Sequence, residues 1–137
     1  MKRLFGFLAL IFLVAGCGAK PTSPGSLLGI YDLQQAQFPQ GTSTVVLKPP
    51  DATGRVILQE DGSYSFILIF AQGKFPFGTG FAGNGAYKAT NTTLNLTNSD
   101  GPAFKIDKFL PGDRHIEMTA NLHGVDVKMV FLGIVSG

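Results

Sequence analysis

The sequence predicts an all-β fold: a single antiparallel up-and-down barrel of about eight strands, behind a cleaved N-terminal signal helix. Three observations carry this. Past Ser26 the apolar residues recur with period 2 and show no helical period. Gly and Pro punctuate the chain at the spacing typical of sandwiches and barrels. The connections between apolar runs are too short for crossover helices, so neighbouring strands must be antiparallel. Closing the sheet on itself would remove exposed edges, whereas a two-sheet sandwich is the alternative with the same pattern.

The chain opens MKRLFGFLALIFLVAG. Lys2 and Arg3 precede an apolar run from Leu4 to Ala15, interrupted only by Gly6, and small residues follow at Ala15 and Gly16. This is the layout of a secretory signal peptide. The run falls short of the roughly 20 apolar residues that a membrane span needs. Residues 1–16 are therefore read as a signal peptide, 17–26 as an anchor and flexible tether, and 27–137 as the folded domain.

Cys17, the only cysteine, stands where the apolar run ends. Val14-Ala15-Gly16-Cys17 resembles the lipobox of bacterial lipoproteins. The resemblance implies diacylation of the Cys17 sulfur, cleavage between Gly16 and Cys17, and in many members acylation of the new amine. A single acyl chain binds a bilayer only marginally, and two or more anchor stably. With Gly18 after the cysteine, the sorting rule of Gram-negative lipoproteins implies the periplasmic face of the outer membrane. In a Gram-positive host the same motif implies the outer face of the plasma membrane.

Without Lys2 and Arg3, the eleven basic residues fall to nine, equal to the nine acidic ones. The net charge of +2 thus belongs to the signal segment, and the rest of the chain is formally neutral. No basic stripe is present of the kind that nucleic-acid binding requires. Residues 18–26, GAKPTSPGS, have the composition of a flexible tether. With one cysteine, no disulfide can form within the chain, so core and sheet must hold the domain together.

The strands follow in order. LLGIYDLQ (27–34) and STVVLKP (43–49) come first. RVILQEDGSYSFILIF is a hairpin, with Asp61-Gly62 expected in a type I′ turn. Its second arm, Phe66 to Phe70, is apolar on both faces, so it is either central or part of an interface. GAYKATNTTLNLTN turns near Asn91, with Leu94 and Leu96 facing inward. AFKIDKFL (103–110) is a further strand. The clearest hairpin is RHIEMTANLHGVDVKMVFLGIV, where Ile116, Met118, Ala120 and Leu122 face the core and the chain turns at His123-Gly124.

Gly29-Ile30-Tyr31 is similar to the Gly-x-Trp start of lipocalins, and DGSYSF, GNGAYKATNTTLNL and FKIDKF resemble hairpins of small lipocalin-like bacterial lipoprotein domains. The resemblance spans most of residues 27–135 and implies a lipocalin-like barrel. Two departures stand out: the chain has no Trp, and it has no Arg on the last strand to stack beneath the first.

Segment 71–87, AQGKFPFGTGFAGNGAY, interleaves Phe75, Phe77 and Phe81 with five glycines. As a functional element it would be a lip at the barrel mouth, with Phe66, Phe70 and Tyr87 completing an apolar pocket. As a structural element it would be a bent strand whose glycines make room for packed rings, and small barrels are often filled solid. His115, Glu117, His123 and Asp126 fall on one hairpin. A zinc site needs three or four converging ligands, so these read as a solvated strand face, and no metal or other cofactor is expected. GTGFAG and GNG lack the strand-loop-helix context of a phosphate loop, and no G-x-S-x-G elbow or carboxylate pair is present.

These readings point to a membrane-anchored envelope lipoprotein that is not an enzyme and binds a small apolar ligand or lipid. The alternative is a filled-core interaction protein that assists envelope assembly or inhibits an exported enzyme. That role would use an envelope protein partner, or a homodimer, through the doubly apolar strand 64–70.

Overall fold

The computed structural model describes residues 28–134. The signal segment, Cys17 and the tether lie outside the described residues. Nine strands run in chain order: β1 Gly29–Gln40, β2 Ser43–Leu47, β3 Ala52–Leu58, β4 Ser63–Phe70, β5 Gly80–Ala89, β6 Leu94–Asp100, β7 Phe104–Leu110, β8 His115–Leu122 and β9 Val125–Gly133. A 3-10 turn, Pro111–Asp113, joins β7 to β8.

All pairings are antiparallel, in the order β6-β5-β4-β3-β1-β9-β8-β7, with β2 also on β1. β2 and β3 are two halves of one broken strand. Ala36 pairs with Leu47 and Asp32 with Arg55, so both halves run the same way along one edge of β1. The surplus residues, Lys48 to Asp51, loop out at Pro49-Pro50, where the backbone has no N–H to give the ladder. Counting the halves as one gives an eight-stranded up-and-down barrel in which the first strand pairs with the last, Tyr31 opposite Gly133. The barrel is closed at every neighbouring pair but one: β6 and β7 end the order and share no ladder.

The core follows the alternation. Ile116, Met118, Ala120 and Leu122 on β8 are buried, as are Val127, Met129 and Phe131 on β9. The turn between them places His123 at φ 53 and Gly124 at φ 86, which suits a tight primed turn. The Asp61-Gly62 turn is different from the type I′ expected. Only Gly62 has positive φ, Gly62 N–H donates to the Gln59 carbonyl at 3.1 Å, and Asp61 accepts from the Ser63 N–H at 2.9 Å. This is a longer connection ending in a left-handed glycine, fixed by the Asp61 side chain.

β1 is longer than its sequence suggests because a bulge between Leu33 and Gln35 shifts its phase. Tyr31 and Leu33 face in before the bulge, and Ala36 and Phe38 after it. On β4, Phe66, Leu68 and Phe70 are buried, while Ile67 and Ile69 stand 43% and 46% exposed. The doubly apolar strand is therefore covered on one side only. Among the described residues no helix is long and apolar enough to cross a membrane.

Arg114 fastens the first strand to the last. It sits just before β8 in the left-handed region at φ 49. Its guanidinium lies 4.8 Å from the Tyr31 ring centroid and donates to the Leu28 carbonyl at 2.9 Å. Its own carbonyl accepts the Gly133 N–H at 2.7 Å. Gly133 and Gly29 leave the space it fills: a Cβ on Gly133 would overlap Arg114 Nε, and one on Gly29 would lie 3.2 Å from an Arg114 terminal nitrogen. The last strand indeed carries no arginine, and the one from the β7–β8 connection lies over the first strand.

Candidate functional site

The six residues expected to line a pocket lie at different depths and at both ends of the barrel. Phe75 is buried, stacked on Phe70 with ring centroids 4.6 Å apart and planes at 12°. It also meets Phe38 edge-on at 5.0 Å and Phe81 at 5.6 Å. Phe75 thus plugs the barrel end where β4 finishes. Phe77 is 50% exposed, covers Phe75 at 5.9 Å and faces His123 at 6.2 Å. Phe66 lies deeper, against Phe104 at 4.6 Å and Phe131 at 6.5 Å. Tyr87 belongs to the opposite end, where its hydroxyl donates to the Gln59 carbonyl at 2.8 Å. Segment 71–79 is a loop that delivers Phe75 into the core, with Gly73 and Gly78 at positive φ. The rings that looked like a lip are mostly packing, because each aromatic face finds another edge-on or stacked.

The candidate metal ligands are also separated. His115 Nε2 and Glu117 form a 2.7 Å pair on β8. His123 lies at the far turn among Phe77 and Phe81, and Asp126 accepts from Asn121 at 3.0 Å. Among the described residues, no three His, Cys, Asp or Glu side chains come together as a metal site.

The feature that sequence reasoning missed is the open seam between β6 and β7. A cleft of about 530 Å³ lies there, floored by Leu94, Leu96, Phe104, Ile106 and Phe109. Thr92, Thr93 and Asn95 form one rim, and Lys105, Asp107 and Lys108 the other. Elsewhere in the barrel, inward side chains such as Met118 and Val127 are fully buried. Here Leu96, Phe104 and Ile106 are only partly buried, because no neighbouring strand covers the gap. Two local features keep the strands apart. After β6 the chain does not turn back at once: a Cβ on Gly83 of β5 would lie 3.3 Å from both Gly101 Cα and Pro102 Cδ, so this stretch stays against β5. On β7 a register shift between Ile106 and Lys108 throws Asp107 outward, where it accepts from the Thr119 hydroxyl at 2.5 Å.

Beside the seam's floor, the Tyr64 ring meets Phe104 at 6.1 Å. Its hydroxyl is buried without a hydrogen-bond partner, and burial pushes its pKa up from 10.0. A second cleft, about 450 Å³, lies on the outer wall where the strand breaks, bounded by Leu33, Pro49, Gly54, Ile67 and Ile69 and by the Asp32–Arg55 ion pair at 2.9 Å. No family model, curated protein or solved structure matches the chain.

Proposed function

We propose that this protein is a non-catalytic binding module for a small apolar ligand or lipid, held at the cell envelope by acylated Cys17. In a Gram-negative host its place is the periplasmic face of the outer membrane. The observation that supports the binding role is the seam: a cleft within the usual ligand-pocket range of about 300–1,000 Å³, floored by core side chains that the fold leaves partly uncovered. The Phe75 plug argues against entry through the barrel mouth, so the binding surface moves from segment 71–87 to β6 and β7.

Native mass spectrometry of the gently purified protein, followed by organic extraction, tests this reading. A discrete extractable lipid mass is expected. A clean apoprotein that also ignores lipid probes would sink it. The anchor is tested separately by metabolic labelling with palmitate: the wild-type chain should take up label and Cys17→Ser should not.

The exposed Ile67–Ile69 pair beside the outer cleft favours a second reading, a protein-interaction surface on β4. Replacing both with Thr should abolish cross-linking to an envelope partner or a second copy. A strict monomer with no cross-linked partner would remove this reading.

A further inference from the structure

We infer that the β6–β7 seam takes a single-chain anionic amphiphile, its tail laid along Leu96, Phe104 and Ile106 and its acidic head held by Lys108. The inference rests on the binding-module reading and names its ligand class and site.

The shape of the seam selects the tail. The cleft runs between two strands along Phe104 to Phe109, about 17 Å at roughly 3.3 Å per residue. A groove that follows the gap between two strands admits an extended chain more readily than a flat ring system. Its floor is apolar along its length, from Leu94 and Phe109 at one end through Leu96 and Ile106 to Phe104. Every methylene removed from water there contributes about 0.8 kcal/mol.

Charge selects the head. Lys105, Asp107 and Lys108 are the charged groups on the cleft wall. Asp107 is already engaged by the Thr119 hydroxyl and by Lys105, whose ammonium lies 3.8 Å away. Lys108 is exposed and has no ion pair among the described residues. The facing rim offers Thr92, Thr93 and Asn95, polar but uncharged. Opposite Lys108 on β8 stands Glu117, itself held by His115 at 2.7 Å. The three charged groups of the cleft wall therefore sum to one positive charge beside an apolar floor, which matches a carboxylate or phosphate head on an acyl chain. Thr92 and Thr93 also lie at the barrel end where β1 begins.

The test uses the full-length protein in amphipol with photoreactive palmitic acid and the matching photoreactive hexadecanol, each mapped by tryptic peptides. Both probes should cross-link within 89–114, the peptides holding β6 and β7. Lys108→Glu should reduce labelling by the acid about fivefold or more at low salt and leave the alcohol unchanged, since one exposed charge contact is of order 1 kcal/mol and is screened by salt. Ile106→Ala should weaken both probes, and Phe77→Ser neither. Cross-links within 75–88 that vanish in Phe77→Ser would move the site to the mouth and overturn the seam. Equal response of acid and alcohol to Lys108→Glu would overturn the head contact. If neither probe labels the wild-type protein, the binding-module reading itself falls.

Discussion

Arg114 and Gly133 should be energetically coupled, and a double-mutant cycle measures by how much. Arg114 contributes a cation–π contact with Tyr31, worth about 1 kcal/mol when partly buried, and a charged hydrogen bond to Leu28, worth about 2 kcal/mol. Arg114→Gly loses both but relieves a left-handed φ that costs a non-glycine residue about 1 kcal/mol. The expected net loss is about 2 kcal/mol. Gly133→Ala places a methyl where the Arg114 side chain lies, since all three nearest atoms to that Cβ belong to Arg114. It should expel the guanidinium and cost about 3 kcal/mol, the sum of the same two contacts. In the Arg114→Gly background those three atoms are gone, and Gly133→Ala should then be close to neutral. The coupling energy is therefore about 3 kcal/mol. Urea unfolding followed by far-UV circular dichroism is the assay, because the chain has no Trp to report by fluorescence. Additivity within about 0.5 kcal/mol would refute the idea that Gly133 and Arg114 form a single latch.

Other outcomes follow from the same packing. Gly85→Ala would press its methyl onto the Thr97 carbonyl and to within 2.8 Å of the Tyr64 ring, so urea unfolding should show a loss of about 1–3 kcal/mol; a loss under about 0.5 kcal/mol would mean β5 and β6 can separate freely. Tyr64→Phe removes a buried hydroxyl without a partner and should raise stability by about 1 kcal/mol, whereas a comparable loss would show that the hydroxyl is bonded. Burial holds Tyr31, Tyr64 and Tyr87 above the ordinary 10.0, with Arg114 pulling Tyr31 partly back and Asp61 adding to the rise at Tyr87. A raised folded pKa means the native state keeps its protons longer than the unfolded chain. Stability should therefore be flat below about pH 10 and fall as pH rises through the tyrosine range. Urea midpoints that hold steady above about pH 11 would contradict this.

The strands were legible where local chemistry decided the outcome. The β8–β9 hairpin shows this best: its period-2 apolar residues and His123-Gly124 turn needed nothing from elsewhere in the chain. β1 was cut short because a single bulge inverts the alternation, and Gln34-Gln35 then looks like a strand end. Segment 71–87 was ambiguous for a different reason. Phe75 and Phe77 are chemically identical and two residues apart, yet one is buried in the plug and the other half exposed. What separates them is the position of Phe38 and Phe70, which no local pattern encodes. Arg114 lies 83 residues from Tyr31 in sequence, so its stacking gave no local signal. The seam was invisible for the most general reason: Leu94 and Leu96 on β6, and Phe104 and Ile106 on β7, alternate as in ordinary strands, and no residue of either records which strand is missing beside it.

The missing ladder also makes the chain's connectivity look like one choice among equivalents. The longest-range pairing in the barrel is that of β1 with β9, the two elements nearest the domain's own ends. If Gly133 were linked to Gly29 and the chain opened within Gly101–Ala103, no strand pairing would be broken, because residues 101–103 belong to no ladder. With β2 and β3 counted as one broken strand, every ladder of the circular permutant would then join strands adjacent in sequence. Its contact order would drop, and with it the loop-closure entropy that slows the folding of β topologies. The permuted barrel should fold faster than the natural one to the same structure, with its new termini facing each other across the seam.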